Sequence, residues 1–316
     1  MLWPAVCAAQ TAGWYAERVF SFLERSDVDQ RYMERPSTRF VLTPQLGTTL
    51  NQYTISTGGH EYTLSSEPIV RLGASAGYRG LTVGYMQHIG SADARSRNRD
   101  FFLDMAGNRA GATMYVSRMS NYSFSHDDEE DHGIRTDAFR SRRFHLSAYY
   151  AFNHRRFSYP AAIVQTFIQK QNAGSIIAGL SVNTSKLDVD TAAISDSIRS
   201  QFVLDEYFTQ VRASNACLRF GYGYNWVLRH HWMLHASGTM SLAFSKSTQF
   251  RYADRTEKDD RNSLTYEFHA TLAAVYDRRR YFAAFNMTLD VNQQSDSPIE
   301  VVDLVMRMNL RCGLRF

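Results

Sequence analysis

No stretch of eighteen or more apolar residues occurs in this 316-residue chain, so no segment of it can cross a bilayer as a helix. Cysteine is equally sparse. The three present, Cys7, Cys217 and Cys312, are too few for a disulfide scaffold and too far apart for a metal knuckle or redox pair. Only six prolines punctuate the chain. The formal net charge of +4 is spread over short turns and mixed loops, without the clustered basic face that nucleic-acid binding needs. No metal, nucleotide or flavin motif is visible, so no cofactor is expected.

What the chain does contain is aromatic. Its 18 tyrosines and 20 phenylalanines accompany a slightly negative mean hydropathy, a mixture too wet for a helical membrane bundle and too aromatic for disorder. A strand-rich architecture fits it best.

Residues 1–10, MLWPAVCAAQ, read as the remnant of a secretory signal: an apolar stretch, then Ala8 and Ala9 before Gln10. The basic region that should precede it is missing, which favours a true start upstream of Met1. Residues 11–36 form the next unit. From Thr11 to about Glu34 the apolar positions Tyr15, Ala16, Val19, Phe20, Phe22 and Leu23 fall three to four apart, which predicts a short amphipathic helix ended by Pro36. Such a helix would pack on a barrel end or in its mouth, or serve as a periplasmic contact element.

From 37 to 316 the period is two. In 143–153, Phe144, Leu146, Ala148, Tyr150 and Phe152 share one face while Arg143, His145, Ser147, Tyr149 and Asn153 share the other. From Cys217, Leu218, Phe220, Tyr222, Tyr224 and Trp226 alternate with Arg219, Gly221, Gly223 and Asn225. The return arm sets Trp232, Leu234, Met240, Leu242 and Phe244 against His235, Ser237, Thr239, Ser241 and Ser245 without a break in phase. Segments 263–277, 281–292 and 302–316 repeat the pattern. Weaker candidates lie at 38–53, 69–78, 81–89, 99–108, 110–124, 161–170 and 174–184. The total is about twelve strands, within a range of 10 to 14. Bacterial single-chain barrels have even strand numbers, so one element of 154–210 must be missed or invented, with 200–208 the suspect.

Soluble barrels alternate too, but two features favour a membrane wall. Aromatics crowd the strand ends (Tyr222, Tyr224, Trp226, Trp232, Tyr276, Tyr281), where an interfacial girdle would sit. The last strand then ends on Phe316, with Leu310, Cys312 and Leu314 on its own face. A terminal Phe of this kind resembles the signal read by the barrel-assembly machinery. The phases put Cys217 and Cys312 on opposite sides of the wall, so a bond between them is not expected. Long polar loops are expected at 90–98, 125–140, 185–209, 246–262 and 293–299, and tight basic turns at Arg79-Gly80, Arg229-His230-His231 and Arg278-Arg279-Arg280. Short turns face the periplasm in such barrels.

The run Asn153-His154-Arg155-Arg156-Phe157-Ser158-Tyr159 with Ala161, Ala162 and Gln165, followed by Gln169-Lys170-Gln171-Asn172-Ala173-Gly174-Ser175, resembles the DUF4421 family of Bacteroidota outer-membrane proteins. Its members carry a similar Phe-Ser, Ala-Ala, Gln, Gln-Lys, Ala-Gly-Ser run. Gly221-Tyr222-Gly223-Tyr224-Asn225 and Asp29-Gln30-Arg31-Tyr32 are similar to other pieces of that family. The resemblance implies a barrel of unknown role and no catalytic residue. From the residues alone, Ala173-Gly174-Ser175 reads as a turn, and Gln165 and Gln169 share a face that could line the lumen.

The candidate site is a charged ladder on the wet face: Arg219, Glu267, His269, Asp290, Arg307 and Arg311. Inside a barrel these charges can pair with one another instead of meeting lipid. A pore-selectivity role is the alternative. The acidic run at 126–132 reads as a solvated loop without a spaced ligand pattern; outward-facing, it would bridge to lipopolysaccharide through divalent ions. His145 with Ser147, and His235 with Ser237, have the spacing of a base and nucleophile, but that spacing is common on polar strand faces. The expectation is therefore a bacterial outer-membrane barrel, monomeric or weakly oligomeric, structural or passive-transport (porin-like) in role. Its partners would be outer-membrane lipid, lipopolysaccharide, the assembly machinery and an undefined periplasmic protein. A lipid acyl hydrolase or protease built on the wall is the alternative.

Overall fold

The computed structural model describes Trp14, Glu17–Ser21, Leu23 and residues 27–57, 60–66, 68–89, 98–120, 122–126, 129–131, 138–190, 208–228, 231–252, 255–259, 265–296 and 299–316. Twelve antiparallel strands form the wall: β1 (Phe40–Thr57), β2 (Ile69–Tyr78), β3 (Leu81–His88), β4 (Arg99–Ala106), β5 (Ala110–Ser120), β6 (Phe139–Ala151), β7 (Ala173–Val189), β8 (Phe208–Val227), β9 (Trp232–Tyr252), β10 (Tyr266–Arg278), β11 (Tyr281–Asp296) and β12 (Ile299–Arg315). Each pairs with the next. The ring closes where β12 pairs with β1, from Ile299 opposite Thr57 to Arg315 opposite Val41.

The alternation read from the sequence dictates the wall's two faces. Phe144, Tyr222 and Leu310 point outward and are 36%, 52% and 51% exposed, while Ser141, Asn225 and Arg315 point inward and are buried. An apolar exterior around a polar interior inverts the soluble pattern. Cys217 is buried inside and Cys312 exposed outside. One phase break escapes the sequence pattern. Between Ala216 and Cys217 the partners on β9 step from Ser245 to Ala243, a bulge at Phe244. Beyond the extra residue the faces exchange. Ser245, expected on the wet face, is exposed outside, and Lys246 is buried inside.

Connections alternate between the two ends. One end, here the turn end, carries the tight links at 79–80, 107–109, 228–231 and 279–280, together with Phe316. At Arg79 and Gly80 both φ angles are positive (51° and 95°), the geometry of a type I′ turn, and glycine meets it without a Cβ penalty. The loop end carries the longer links, except that only two residues separate Asp296 of β11 from Ile299 of β12. β8 and β9, at 20 and 21 residues, exceed the roughly 9–11 a tilted strand needs to cross a bilayer. Residues 185–189, 208–209, 246–252 and 256–259, expected as loop, are therefore strand, and 191–207 lie outside the described residues. At this end His60–Ser66 pairs with β1 and with Tyr122–His126, closing the sheet above the shorter β2, β3 and β4. A buried cluster of Tyr53, Tyr62, Leu64, Met119, Tyr122 and Phe139 fills the space inside.

The surplus element is 161–170. It is no wall strand, and 200–208, the suspect, lies outside the described residues except Phe208, which opens β8. After β6 the chain turns into the barrel. Ser158 accepts the Ala161 N–H at 3.3 Å, capping a short helix (Tyr159–Ile163) with Pro160 in its first turn, where the missing N–H costs nothing. Gln165 then takes a positive φ of 54°. Ala173 to Ser175, expected as a turn, begin β7 instead. Residues 27–36 are not helical either. Met33 and Glu34 pair antiparallel with Gln169 and Ile168 at the turn end. Trp14, Glu17–Ser21 and Leu23 are helical, and Glu17 contacts Arg79 at 3.1 Å.

Candidate functional site: a plugged polar lumen

The floor of the lumen is the inserted segment 152–172. Phe157, Ala161, Ala162 and Phe167 are at most 1% exposed; Ala161, Ala162 and Phe167 pack with Met33 and with Met233, Val275 and Phe282 of the inner wall, and Phe157 packs with Ala151, Ala173 and Ile177. Each buried phenylalanine contributes roughly 1.5–3 kcal/mol toward holding the segment in place. Phe282 lies flat over Gly313 of β12, where an added Cβ would come within 2.0 Å of the ring.

Polar latches secure this floor. Gln169 Oε1 accepts the Ser158 N–H at 2.9 Å and Asn225 Nδ2 at 3.0 Å, while its Nε2 donates to the Arg156, Gln171 and Tyr32 carbonyls at 2.6, 3.0 and 3.2 Å. Asn225 also donates to the Ser158 carbonyl at 2.9 Å. Arg315 donates to the Gln165 carbonyl at 2.5 Å, and Asn286 to the Ala162 carbonyl at 2.8 Å. Gln165 and Gln169 are thus buried inside the barrel, in the segment itself and not in its wall.

Above the floor the predicted ladder divides into three parts. His269 Nδ1 lies 2.6 Å from Asp290, and Arg307 pairs with the other oxygen of that carboxylate. Glu267 stands apart, accepting from Asn183 and Asn215 at 2.5 and 2.8 Å and from Asn292 and Ser181 at 3.4 Å. Arg219 donates to Thr239 at 3.0 Å, and Arg311 donates to the Ile163 carbonyl of the floor at 2.5 Å. Reasoning from the sequence missed three further buried pairs: Arg71 with Asp100, Arg143 with Asp303, and Arg315 with Asp277 at 2.6 Å. Arg143 and Asp303 were legible as wet-face residues. Arg71 and Asp100 were not, because β2 and β4 are short.

Several contacts span the lumen. Arg143 on β6 meets Asp303 on β12, and the Tyr53 hydroxyl on β1 lies 3.1 Å from that of Ser185 on β7. On a twelve-strand ring these are opposite walls. The lumen holds a cavity of about 190 Å³ bordered by the floor residues Tyr159, Ile163 and Val164, and one of about 50 Å³ that shares Arg219, His269, Asp290 and Arg307 with it.

The two base and nucleophile candidates separate. His145 turns to Asn183. His235 lies 3.0 Å from Ser237 and 2.6 Å from Asn225, but it is 2% exposed beneath Phe157 and Tyr159. There it supports the floor. The acidic run at 126–132 has no described side chains. At the turn end, Glu34 meets Lys170 at 3.0 Å and Arg279 at 2.8 Å. Burial pushes its carboxyl up, but the two cations outweigh this and hold it below the usual value.

Residues 27–316 match the family described as a domain of unknown function, DUF4421. The chain belongs to that family. Its recognisable motif, 153–175, is therefore the inserted floor together with the start of β7. Among solved structures, the chain is similar to the outer membrane protease OmpT from Escherichia coli, at 8% identity over 89% of this chain and 97% of that one, with a TM-score of 0.45. It is also similar to the Pseudomonas putida toluene transporter TodX, at 9% identity over 93% of each chain and a TM-score of 0.31. A third likeness is to the outer membrane protein OprG from Pseudomonas aeruginosa, at 10% identity over 89% and 97% of the two chains and a TM-score of 0.30. No curated protein matches the chain significantly.

Proposed function

We propose that this protein is a bacterial outer-membrane barrel that passes small polar solutes passively and rests in a plugged state. The observation that carries this reading is the inserted segment 152–172, which closes the turn end of a polar, ion-paired lumen inside an oily wall. At the turn end, Arg109 and Arg278 lie on the hydroxyls of Tyr150 and Tyr276 at 3.3 and 3.1 Å, girdle height for lipid phosphates. Short turns put that end in the periplasm and the long loops outside, toward lipopolysaccharide. Phe316, bonded to Phe40 backbone to backbone at 3.0 Å in both directions, supplies the assembly signal. Residues 27–36, beside the floor, are the natural contact for a periplasmic partner.

Planar-bilayer recording tests the reading. Wild-type protein should be silent or conduct rarely, and a variant with 155–171 replaced by a Gly-Ser turn should show discrete steps. Large steady conductance from the wild type would remove the plug. Silence of the replaced variant, shown folded by its heat-dependent gel migration, would remove the passage.

A further inference from the structure

We propose that the main lumen cavity binds a small organic carboxylate, headed by the guanidinium of Arg219. The inference deepens the transport reading by naming a solute class, and it rests on the polar lumen that reading describes.

Carboxylates and guanidiniums in the cavity wall are unequally partnered. Asp290 is held by His269 and Arg307, and Asp100 by Arg71 and Ser117. Each of these carboxylates thus already has an arginine partner. Arg219 and Arg311, both lining the cavity, have no carboxylate within 4.0 Å among the described residues. Arg219 donates only to the Thr239 hydroxyl, and Arg311 leaves its Nε without a partner. Two carboxylates nearby also lack a cation at that distance among the described residues: Asp104, which accepts from Thr113 at 2.8 Å, and Glu267 of the adjoining smaller cavity, which is held by asparagine amides and Ser181. Arg219 therefore borders the larger cavity with donors that no described carboxylate within 4.0 Å takes up, in surroundings where charge is poorly screened.

A bidentate carboxylate matches the planar donor fork of arginine. Arg219 is the better head group of the two because Arg311 is committed to the floor. Apolar side chains border part of the same space: Met86, Phe102, Ile163, Val164 and Ile177. Its volume of about 190 Å³ exceeds the roughly 150 Å³ at which an apolar cavity accepts benzene, so a ring-sized body fits beside the head group.

The probe is benzoate, with benzyl alcohol and benzylamine as neutral and cationic matches of similar size. Calorimetry and thermal unfolding of the full chain in detergent should show saturable benzoate binding and a raised unfolding temperature. Benzyl alcohol and benzylamine should bind at least about tenfold more weakly, the expected loss for a missing charge-assisted bond. Arg219→Gln should weaken benzoate by a similar factor, Arg219→Lys should recover part of it, and Arg251→Gln at the loop end should change nothing. Equal binding of the three probes, no benzoate binding by wild type, or full binding by Arg219→Gln would overturn the assignment. Heat-dependent gel migration checks that each variant is folded. A barrel that opens on plug replacement yet binds no benzoate would lose the site alone, and benzoate binding by a barrel that never conducts would lose the passage alone.

Discussion

Arg315 grips both carboxylate oxygens of Asp277, at 2.6 and 2.7 Å, while the same guanidinium donates to the Gln165 carbonyl at 2.5 Å. One side chain near the end of the final strand thereby joins β12, β10 and the inserted floor. Arg315 is 3% exposed, so its removal leaves a buried carboxylate alone. Arg315→Ala should cost about 3–5 kcal/mol of folding stability, whereas the double replacement Arg315→Leu with Asp277→Leu should be much milder. A double-mutant cycle by urea titration in lipid vesicles measures this. Additive losses would show that the pair does not act as a unit.

Gln169 is the hub of the floor, contacting Ser158, Asn225 and three carbonyls through one amide. Gln169→Ala should leave those buried groups unsatisfied, at about 1–3 kcal/mol each for the worst placed. The floor should loosen before the wall does. Limited proteolysis should then cut within 152–172 while heat-dependent gel migration stays unchanged. Protection equal to wild type would deny Gln169 this role.

The strand period carried most of the wall. At 69–78 the expected and observed bounds coincide, and Phe144, Tyr222 and Leu310 lie on the outward face that their alternation implies. The floor was less legible for a physical reason. Phe157, Ala161, Ala162 and Phe167 are as apolar as a short buried strand, and periodicity over so few residues cannot separate strand from helix or coil. Pro160 marked the departure, because proline is disfavoured inside a paired strand but suited to a helix start. Phe244 hid the bulge in a similar way, since an extra outward Phe does not disturb the sequence pattern until Lys246 appears inside. Of the site, ionisable residues on long strands were readable. Asn225 was readable as a wet-face residue and Gln169 as one that could line the lumen, but not their role as latches, because nothing in sequence separates a structural amide from an ordinary polar one.

Glu34 supplies a pH dependence with a definite sign. Its folded pKa lies below the unfolded value because Lys170 and Arg279 favour the carboxylate more than burial disfavours it. The contribution is therefore fully present above the unfolded pKa, about 4.3, and is lost as pH falls through the lower folded value. Both ion pairs are partly exposed, so the effect is modest and weakens with salt. Hydrogen exchange of residues 28–35 should speed up below about pH 4, and Glu34→Gln should exchange faster at neutral pH with little further acid response. An unchanged acid response in Glu34→Gln would assign it to another group.

Leu218 and Arg219 are adjacent on β8 and face opposite solvents. Leu218 points outward at 58% exposure, and Arg219 lines the cavity. In a soluble barrel so exposed a position would accept arginine within about 0.5 kcal/mol. With lipid outside, Leu218→Arg should destabilise the folded barrel by roughly 2–4 kcal/mol if the site lies near the midplane, since a guanidinium there leaves water for hydrocarbon. Reversible folding into phospholipid vesicles reads the difference directly, with Leu218→Ala separating lost apolar contact from introduced charge. If Arg and Ala at 218 proved equally tolerated, water would have to bathe that face, and the inside-out wall on which the polar lumen depends would be lost.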